Sequence, residues 1–196
     1  MITLYHLDQS RSERIIWILE ELGIDYRLEV FLRQPDLYGP AALKEAHGLG
    51  RAPVIRDGDV LLAESGAIVE YLIARHGQGR LGVASDAGNF AAYLYWLHYA
   101  EGSLMLQLLR EWSLDRMLPE ADSHPGMARV RNGTATHLRL VEARLRASPY
   151  LAGGDFTAAD IMMVDLAPYP AIRAYVARLE ARPAFQTATR AAGTHP

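Results

Sequence analysis

Ser10 is the first residue with a claim to chemistry. It stands in "LDQSRSERIIWILEELG", just ahead of a periodic apolar run, with Glu13 three positions on in capping-box spacing. A hydroxyl at a helix start adds a rotatable donor to free backbone N–H groups and to the positive end of the helix dipole. That combination favours a thiolate, as it does for cysteines at helix N-termini. Each unit of pKa lowering favours the anion by about 1.4 kcal/mol. The chain has no Cys, so the sulfur would have to arrive with a substrate. The plain alternative is an N-cap contributing about 1 kcal/mol.

Two other segments are open to the same double reading. "ESG", Glu64–Gly66, opens a second helix directly after an apolar strand. The Ser65 hydroxyl and the local N–H groups suit a carboxylate, and Glu64 suits an ammonium. Together they could hold both charged ends of an α-amino acid, although capping with an acid in the first turn accounts for the same residues. "GRAPVI" puts Pro53 just before a strand, where a cis bond in a tight turn fits. Such a bond would turn the N–H and C=O of Val54 outward, free to pair with an extended ligand. Arg51 could meet a further carboxylate, or be an ordinary loop charge.

The elements that position these residues can be read from periodicity. "ITLYH" is a strand, and Arg11–Leu22 is a helix with Ile15, Ile18, Leu19 and Leu22 on one stripe, stopped by Gly23. "YRLEVF" alternates as a second strand, with Tyr26, Leu28 and Val30 on one face. A crossover of this length makes the two strands parallel. After a Gly- and Pro-containing stretch with one short helix near Pro40–Ala46, Asp57-Gly58 marks a hairpin. A helix follows with Ile68, Tyr71 and Leu72 inward and Gly77 as its stop. "GQGRLGVASDAG" then reads as a linker. Beyond it only helical patterns occur: about Ala87–Arg116, Met127–Ala147, one from Thr157, then Pro170–Ala181 and Pro183–Ala192, with Pro168 and Pro170 as a break. The first part has thioredoxin-like connectivity, and the fold class is α/β followed by all-α.

Composition limits the partners. The 196 residues suffice for a real core. Lys and Arg number 20 against 23 Asp and Glu, so no nucleic-acid surface is expected. Apart from Lys44, every basic residue is Arg, which we read as codon bias. No apolar run is long enough to span a membrane, and no basic-then-apolar leader opens the sequence. A soluble cytoplasmic protein is the expectation. The lack of Cys excludes disulfides, Cys-ligated metal sites and redox work by the protein's own thiol.

The three segments all fall in loops and helix starts at one end of the expected sheet. They ask for a ligand with an amino-acid head, a peptide-like middle, a thiol and a second carboxylate, and glutathione meets each demand. On "SRSERIIWILEELG", "GRAPVIRDGDVLLAESGAIVEYL" and "FTAADIMM" the chain resembles a cytosolic glutathione S-transferase, and the likeness covers nearly all of it.

The resemblance implies a thioredoxin-like glutathione-binding domain over 1–77, a linker over 78–86 and a helical domain over 87–196, in a homodimer. It implies that Glu64 and Ser65 hold the γ-glutamyl head, that Val54 pairs with the cysteinyl backbone after a cis-Pro53, and that Arg51 lies near the glycyl carboxylate. Glutathione is then the co-substrate and a hydrophobic electrophile the second partner, with no metal, nucleic acid or membrane involved. For the thiol-activating residue, Ser10 is the choice and Tyr5, where tyrosine-type members carry theirs, the runner-up. In many serine-type relatives the hydroxyl sits one place earlier, at Gln9 here. Ser12 is expected to point away. "HGLG", His47–Gly50, lacks the Pro usual at that place.

In the helical part, Thr157 and Asp160 form a capping box that we read as structural. Tyr95 and Tyr99 share a helix face that by analogy lines the electrophile pocket, and a core or interface role explains the same stripe. His98 with Glu101 offers two ligands without a third, so no metal is assigned.

Overall fold

The structure, a computed structural model, describes residues 1–163 and 169–193. Along the chain these residues form β1 (Ile2–Leu7), α1 (Glu13–Leu22), β2 (Tyr26–Phe31), α2 (Leu43–Ala46), β3 (Val54–Asp57), β4 (Val60–Ala63), α3 (Ser65–Arg75), α4 (Phe90–Tyr99), a π-helical segment (Ala100–Met105), α5 (Leu106–Met117), α6 (Pro125–Ala147), α7 (Ala158–Met162), α8 (Pro170–Glu180) and α9 (Pro183–Ala192). They divide into two compact units, 1–82 with 178–193, and 83–177. The break assigned to Pro168 lies outside the described residues.

In the first unit the sheet order is β2-β1-β3-β4. β1 and β2 are parallel, and β3 runs antiparallel to both β1 and β4. Gly58 takes a φ of 58°, and β3 and β4 pair across Asp57↔Val60. The two-residue loop is therefore Gly58-Asp59, one place later than expected. Glycine supplies the positive φ that such a turn requires. Beside it the Asp57 carboxylate accepts from Tyr71 Oη at 2.9 Å and lies 2.6 Å from His76 Nε2. The bond to His76, then that from Tyr71, hold Asp57 below the usual carboxylate range against the opposing pull of burial.

Ile2 and Leu4 of β1, Ile15, Ile18 and Leu19 of α1, Ile55 of β3 and Ile68 and Leu72 of α3 are sealed from solvent, each contributing about 1.5–3 kcal/mol. Tyr71 is only half-buried, because its hydroxyl reaches out to Asp57. β2 is an edge strand, and Val30, expected inward with Tyr26 and Leu28, is 52% exposed. On the other face of the sheet Leu43 and Ala46 of α2 pack with Leu7, Tyr5, Phe31 and Ala52.

α9 belongs to this unit and lies on α1. Trp17 meets Phe185 edge-on, with ring centroids 4.9 Å apart. Arg182 grips Glu21 through Nε at 2.6 Å and Nη2 at 2.8 Å, and Glu21 also accepts from Trp17 Nε1 at 3.0 Å. Buried Ala188 and Ala192 bring the two backbones close.

In the second unit the long helix expected over 87–116 begins at Phe90 and passes through the π-helical segment before α5. Gln107 of α5 donates to Val130 O at 2.8 Å and Thr134 Oγ1 at 3.0 Å on α6. Glu142 of α6 accepts from the N–H groups of Ala171 and Ile172, each at 3.0 Å for its Oε2, and so closes the first turn of α8. The Thr157–Asp160 capping box forms at the start of α7.

Candidate functional site

The sheet register gathers the sequence candidates. Tyr5 pairs with Val54, and Val54 with Ala63. The end of β1, the start of β3 and the end of β4 therefore share one end of the sheet. The loop with Ser10, the segment with Arg51 and Pro53, and the α3 start with Glu64 and Ser65 all leave from that end.

Ser10 is not the N-cap. α1 begins at Glu13 with Ser12 as its N-cap, so the Ser10–Glu13 capping box does not form. Local hydrogen bonding explains the difference. Ser10 Oγ accepts from Ser12 N at 3.2 Å, and Ser10 O accepts from Glu13 N at 3.1 Å. Two of the N–H groups expected to be free are thus held by Ser10 itself. Its hydroxyl lies 2.6 Å from that of Ser12 and remains half-buried.

Ser12 points away from the ligand side, as expected, and into the core with no exposure. Its Oγ lies 2.8 Å from His6 Nδ1, 3.3 Å from Leu7 N and 3.2 Å from Leu7 O. His6 is also sealed from solvent, and its Nε2 lies 3.2 Å from Ala192 O on α9. Burial pushes the His6 pKa down, opposed by the Ala192 carbonyl and the charge of Asp8. The pairing of His6 with Ser12 escaped the sequence reading, because nothing in the spacing or type of either residue marks the other as its partner.

Arg33 was missed as well, and it clamps this loop. Its N–H donates to Asp8 Oδ1 at 2.5 Å, its Nε to Asp8 O at 3.0 Å and its Nη2 to Gln9 O at 2.8 Å. Gln9 is held at a φ of 49°, a conformation uncommon outside glycine. No local pattern reveals Arg33, since its partners lie 24 and 25 positions away.

The Ala52–Pro53 bond is cis. Val54 follows at the start of β3, with no exposure and strand partners on both sides. Arg51 is exposed, and its side chain makes no hydrogen bond or ion pair among the described residues. The His47–Gly50 loop lacks its Pro yet is closed by a bond from Gly50 N to His47 O at 2.7 Å. Gly50 has a φ of 59°, and a Cβ there would meet Lys44 Cγ at 2.7 Å.

Glu64 is exposed and carries a φ of 73° with a ψ of 117°. A non-glycine residue in that region costs about 1–3 kcal/mol, and such residues cluster at binding sites. The fold holds it there: its carbonyl accepts from Ile68 N at 2.9 Å, closing the first turn of α3. Ser65 is only 4% exposed, and its hydroxyl has no partner among the described residues. Glu64→Gly should relieve the backbone and raise unfolding stability by about 1 kcal/mol, whereas Glu64→Ala should not. Both should lose affinity for an amino-acid head, and paired denaturation and calorimetry check the split.

Tyr5 sits in the α2-side cluster, and Arg56 Nε lies 3.5 Å from its hydroxyl. Tyr95 and Tyr99 are on α4, in the second unit. Their rings stack at 5.4 Å, but only Tyr95 is open, at 50% exposure against 8%. Tyr99 Oη lies 2.5 Å from His137 Nδ1, and burial, then Tyr95, push its pKa up to about 12. Among the described residues no group of three His, Asp or Glu side chains could hold a metal ion, and no helix is long and apolar enough to cross a membrane.

Comparison with known proteins bears on this geometry. Residues 4–80 match the family described as glutathione S-transferase, N-terminal domain, and residues 117–186 match glutathione S-transferase, C-terminal domain. Glutathione S-transferase 3 of Schizosaccharomyces pombe is 31% identical over 96% of this chain and 86% of its own. The disulfide-bond oxidoreductase YfcG of Escherichia coli is 30% identical over 94% and 92%. A crystal structure of a glutathione S-transferase from Actinobacillus pleuropneumoniae superposes with a TM-score of 0.86 at 31% identity, covering 99% of this chain and 94% of that one.

Proposed function

Because the chain belongs to the glutathione S-transferase family, we propose that the shared end of the sheet is its glutathione site and Ser10 its thiol-activating residue. It is a glutathione transferase with glutathione as co-substrate. Ser10 Oγ donates to the sulfur and favours the thiolate. Glu64 takes the ammonium and Ser65 the carboxylate of the γ-glutamyl head. The Val54 backbone pairs with the cysteinyl residue, and Arg51 faces the glycyl carboxylate. The domain over 1–77 is the glutathione-binding one, and Tyr95 and Tyr99 of the helical part are the electrophile contacts, Tyr95 being the more accessible. Catalysis rests on thiol acidity and positioning, without a covalent enzyme intermediate.

The observation that supports this most is the register Tyr5↔Val54↔Ala63, which brings the three candidate segments to one end of the sheet. Ser10 is preferred to Tyr5, whose hydroxyl already has Arg56 beside it. Homodimerisation is part of the reading. Leu106, Leu109 and Trp112 form an apolar stripe on α5 that is 41–62% exposed in the single chain. So is a cytoplasmic location.

Calorimetry with glutathione, a soaked crystal and turnover of an aryl halide test the reading together. Heat of binding, sulfur within hydrogen-bond reach of Ser10 and measurable conjugation are expected. An empty sheet end with no heat overturns it, and binding without turnover across an electrophile panel points to a ligand-holding protein. The likeness to the disulfide-bond oxidoreductase YfcG favours one further activity at the same site, disulfide-bond oxidoreduction, which belongs in the same panel.

A further inference from the structure

Ser10 is the outer end of a buried chain of polar atoms running Ser10 Oγ, Ser12 Oγ, His6 Nδ1, His6 Nε2 and Ala192 O at successive distances of 2.6, 2.8 and 3.2 Å across the ring. The direction of each hydrogen follows from the inner end. The Ala192 carbonyl can only accept, so His6 Nε2 carries a hydrogen and the neutral ring offers Nδ1 as a lone pair. Ser12 O–H donates to that lone pair, with the Leu7 carbonyl at 3.2 Å as the longer alternative. Ser12 Oγ is then left to accept, from Leu7 N and from Ser10 O–H. Ser10 in turn accepts from Ser12 N. Its hydrogen points inward and its remaining lone pair outward.

A hydroxyl in that state suits a thiol rather than a thiolate. For Ser10 to donate to a bound thiolate, its hydrogen must turn outward. The 2.6 Å contact then needs a hydrogen from Ser12, and Ser12 needs one from His6 Nδ1.

We infer that His6 is the inner terminus of a proton relay that takes up the hydrogen lost by the glutathione thiol. The inference rests on Ser10 being the activating residue. The S–H bond breaks with its electron pair left on sulfur, and that proton passes to Ser10 Oγ. The Ser10 proton passes to Ser12 Oγ, and the Ser12 proton bonds to the Nδ1 lone pair. Nothing is oxidised or reduced. The product is a thiolate receiving Ser10 O–H, with an imidazolium donating to Ser12 and Ala192. The thiolate at one end and the carboxylate of Asp8 near the other offset the new positive charge. His6 touches no substrate and acts only through the two serines.

The relay separates two counts that otherwise agree. The thiolate formed when the full chain binds glutathione at neutral pH is read from its ultraviolet absorbance. The protons released are read by calorimetry in buffers of different ionisation enthalpy. We expect the wild-type protein to release fewer protons than the thiolates it forms, and His6→Gln to release one for each, with less thiolate. Ser12→Ala leaves His6 in place, cuts the relay and should also release one for each, which covers the case of an unfolded His6 variant. One proton per thiolate in the wild type overturns the inference. So does a His6→Gln protein that keeps both the wild-type unfolding midpoint and the wild-type proton deficit. Ser10→Ala separates the two readings: undiminished thiolate in that variant removes Ser10 from its role, whereas reduced thiolate beside a one-to-one wild-type count removes only His6.

Discussion

Ser10→Ala should raise the pKa of the bound glutathione thiol by about one to two units and cut turnover about ten- to a hundredfold. A hydrogen bond from a neutral donor to an anion is worth about 1.5–3 kcal/mol, and here it is made only to the ionised sulfur. Affinity for glutathione should change little, because the head and the glycyl carboxylate are held elsewhere, by Glu64, Ser65 and Arg51. The variant also leaves Ser12 N without its 3.2 Å acceptor, at a cost of about 1 kcal/mol in folding. Thermal melting should register that loss independently of the thiol. Titrating the bound sulfur by its ultraviolet absorbance, in parallel with Tyr5→Phe, assigns the effect. An unchanged thiol pKa in Ser10→Ala, with a raised one in Tyr5→Phe, would reverse the assignment.

Asp160→Ala should be the most destabilising single substitution considered, at about 3 kcal/mol or more. The carboxylate has no exposure. Its Oδ1 accepts from Leu151 N at 2.9 Å and Tyr175 Oη at 2.9 Å, and its Oδ2 accepts from Thr157 N at 2.8 Å and Thr157 Oγ1 at 3.2 Å. Truncation leaves the buried backbone donors of Leu151 and Thr157 without this acceptor, each costing about 1–3 kcal/mol, and removes the 2.9 Å bond from the Tyr175 hydroxyl. Asp160→Asn should recover only part of the loss. One carboxylate oxygen becomes an NH₂ group that faces N–H donors, so the site requires acceptors at both positions. Denaturant midpoints for the two variants measure the difference. An Asp160→Ala protein within 1 kcal/mol of wild type, on the scale of ordinary surface changes, would mean the carboxylate contributes little to the fold.

The parts legible in the sequence are those decided by short-range chemistry. Helical spacing in "ERIIWILEEL" and "SGAIVEYLIAR", alternation in "ITLYHL" and a glycine between two strands each carry their own signal, and Pro53 announced its turn. Asp160 was legible because Thr157 stands three residues before it. Other features depend on partners far along the chain. The inward partner of Ser12 is a buried His6 ring on another element, which no local spacing shows. The local spacing of "SRSE" favours a start at Ser10, because Ile15 rather than an acid stands three places after Ser12, yet the helix starts after Ser12. Arg33 clamps a loop that lies on another strand's end. Val30 alternates as an inward residue would, but it falls on an edge strand. The π-helical segment has no marker in "AEGSLM" beyond one glycine.

The return of α9 to α1 has a consequence for synthesis. His6 and Ala192 are 186 positions apart, yet they share a hydrogen bond inside one unit. A ribosome releases the α1 sequence early, and its face with Trp17 cannot be covered until α9 has emerged from the exit tunnel. Until then the nascent chain carries an unclosed apolar groove, a state open to chaperones and to aggregation. The polypeptide is thus latched by a segment made long after α1, and the inner contact of His6 forms only once that segment has docked.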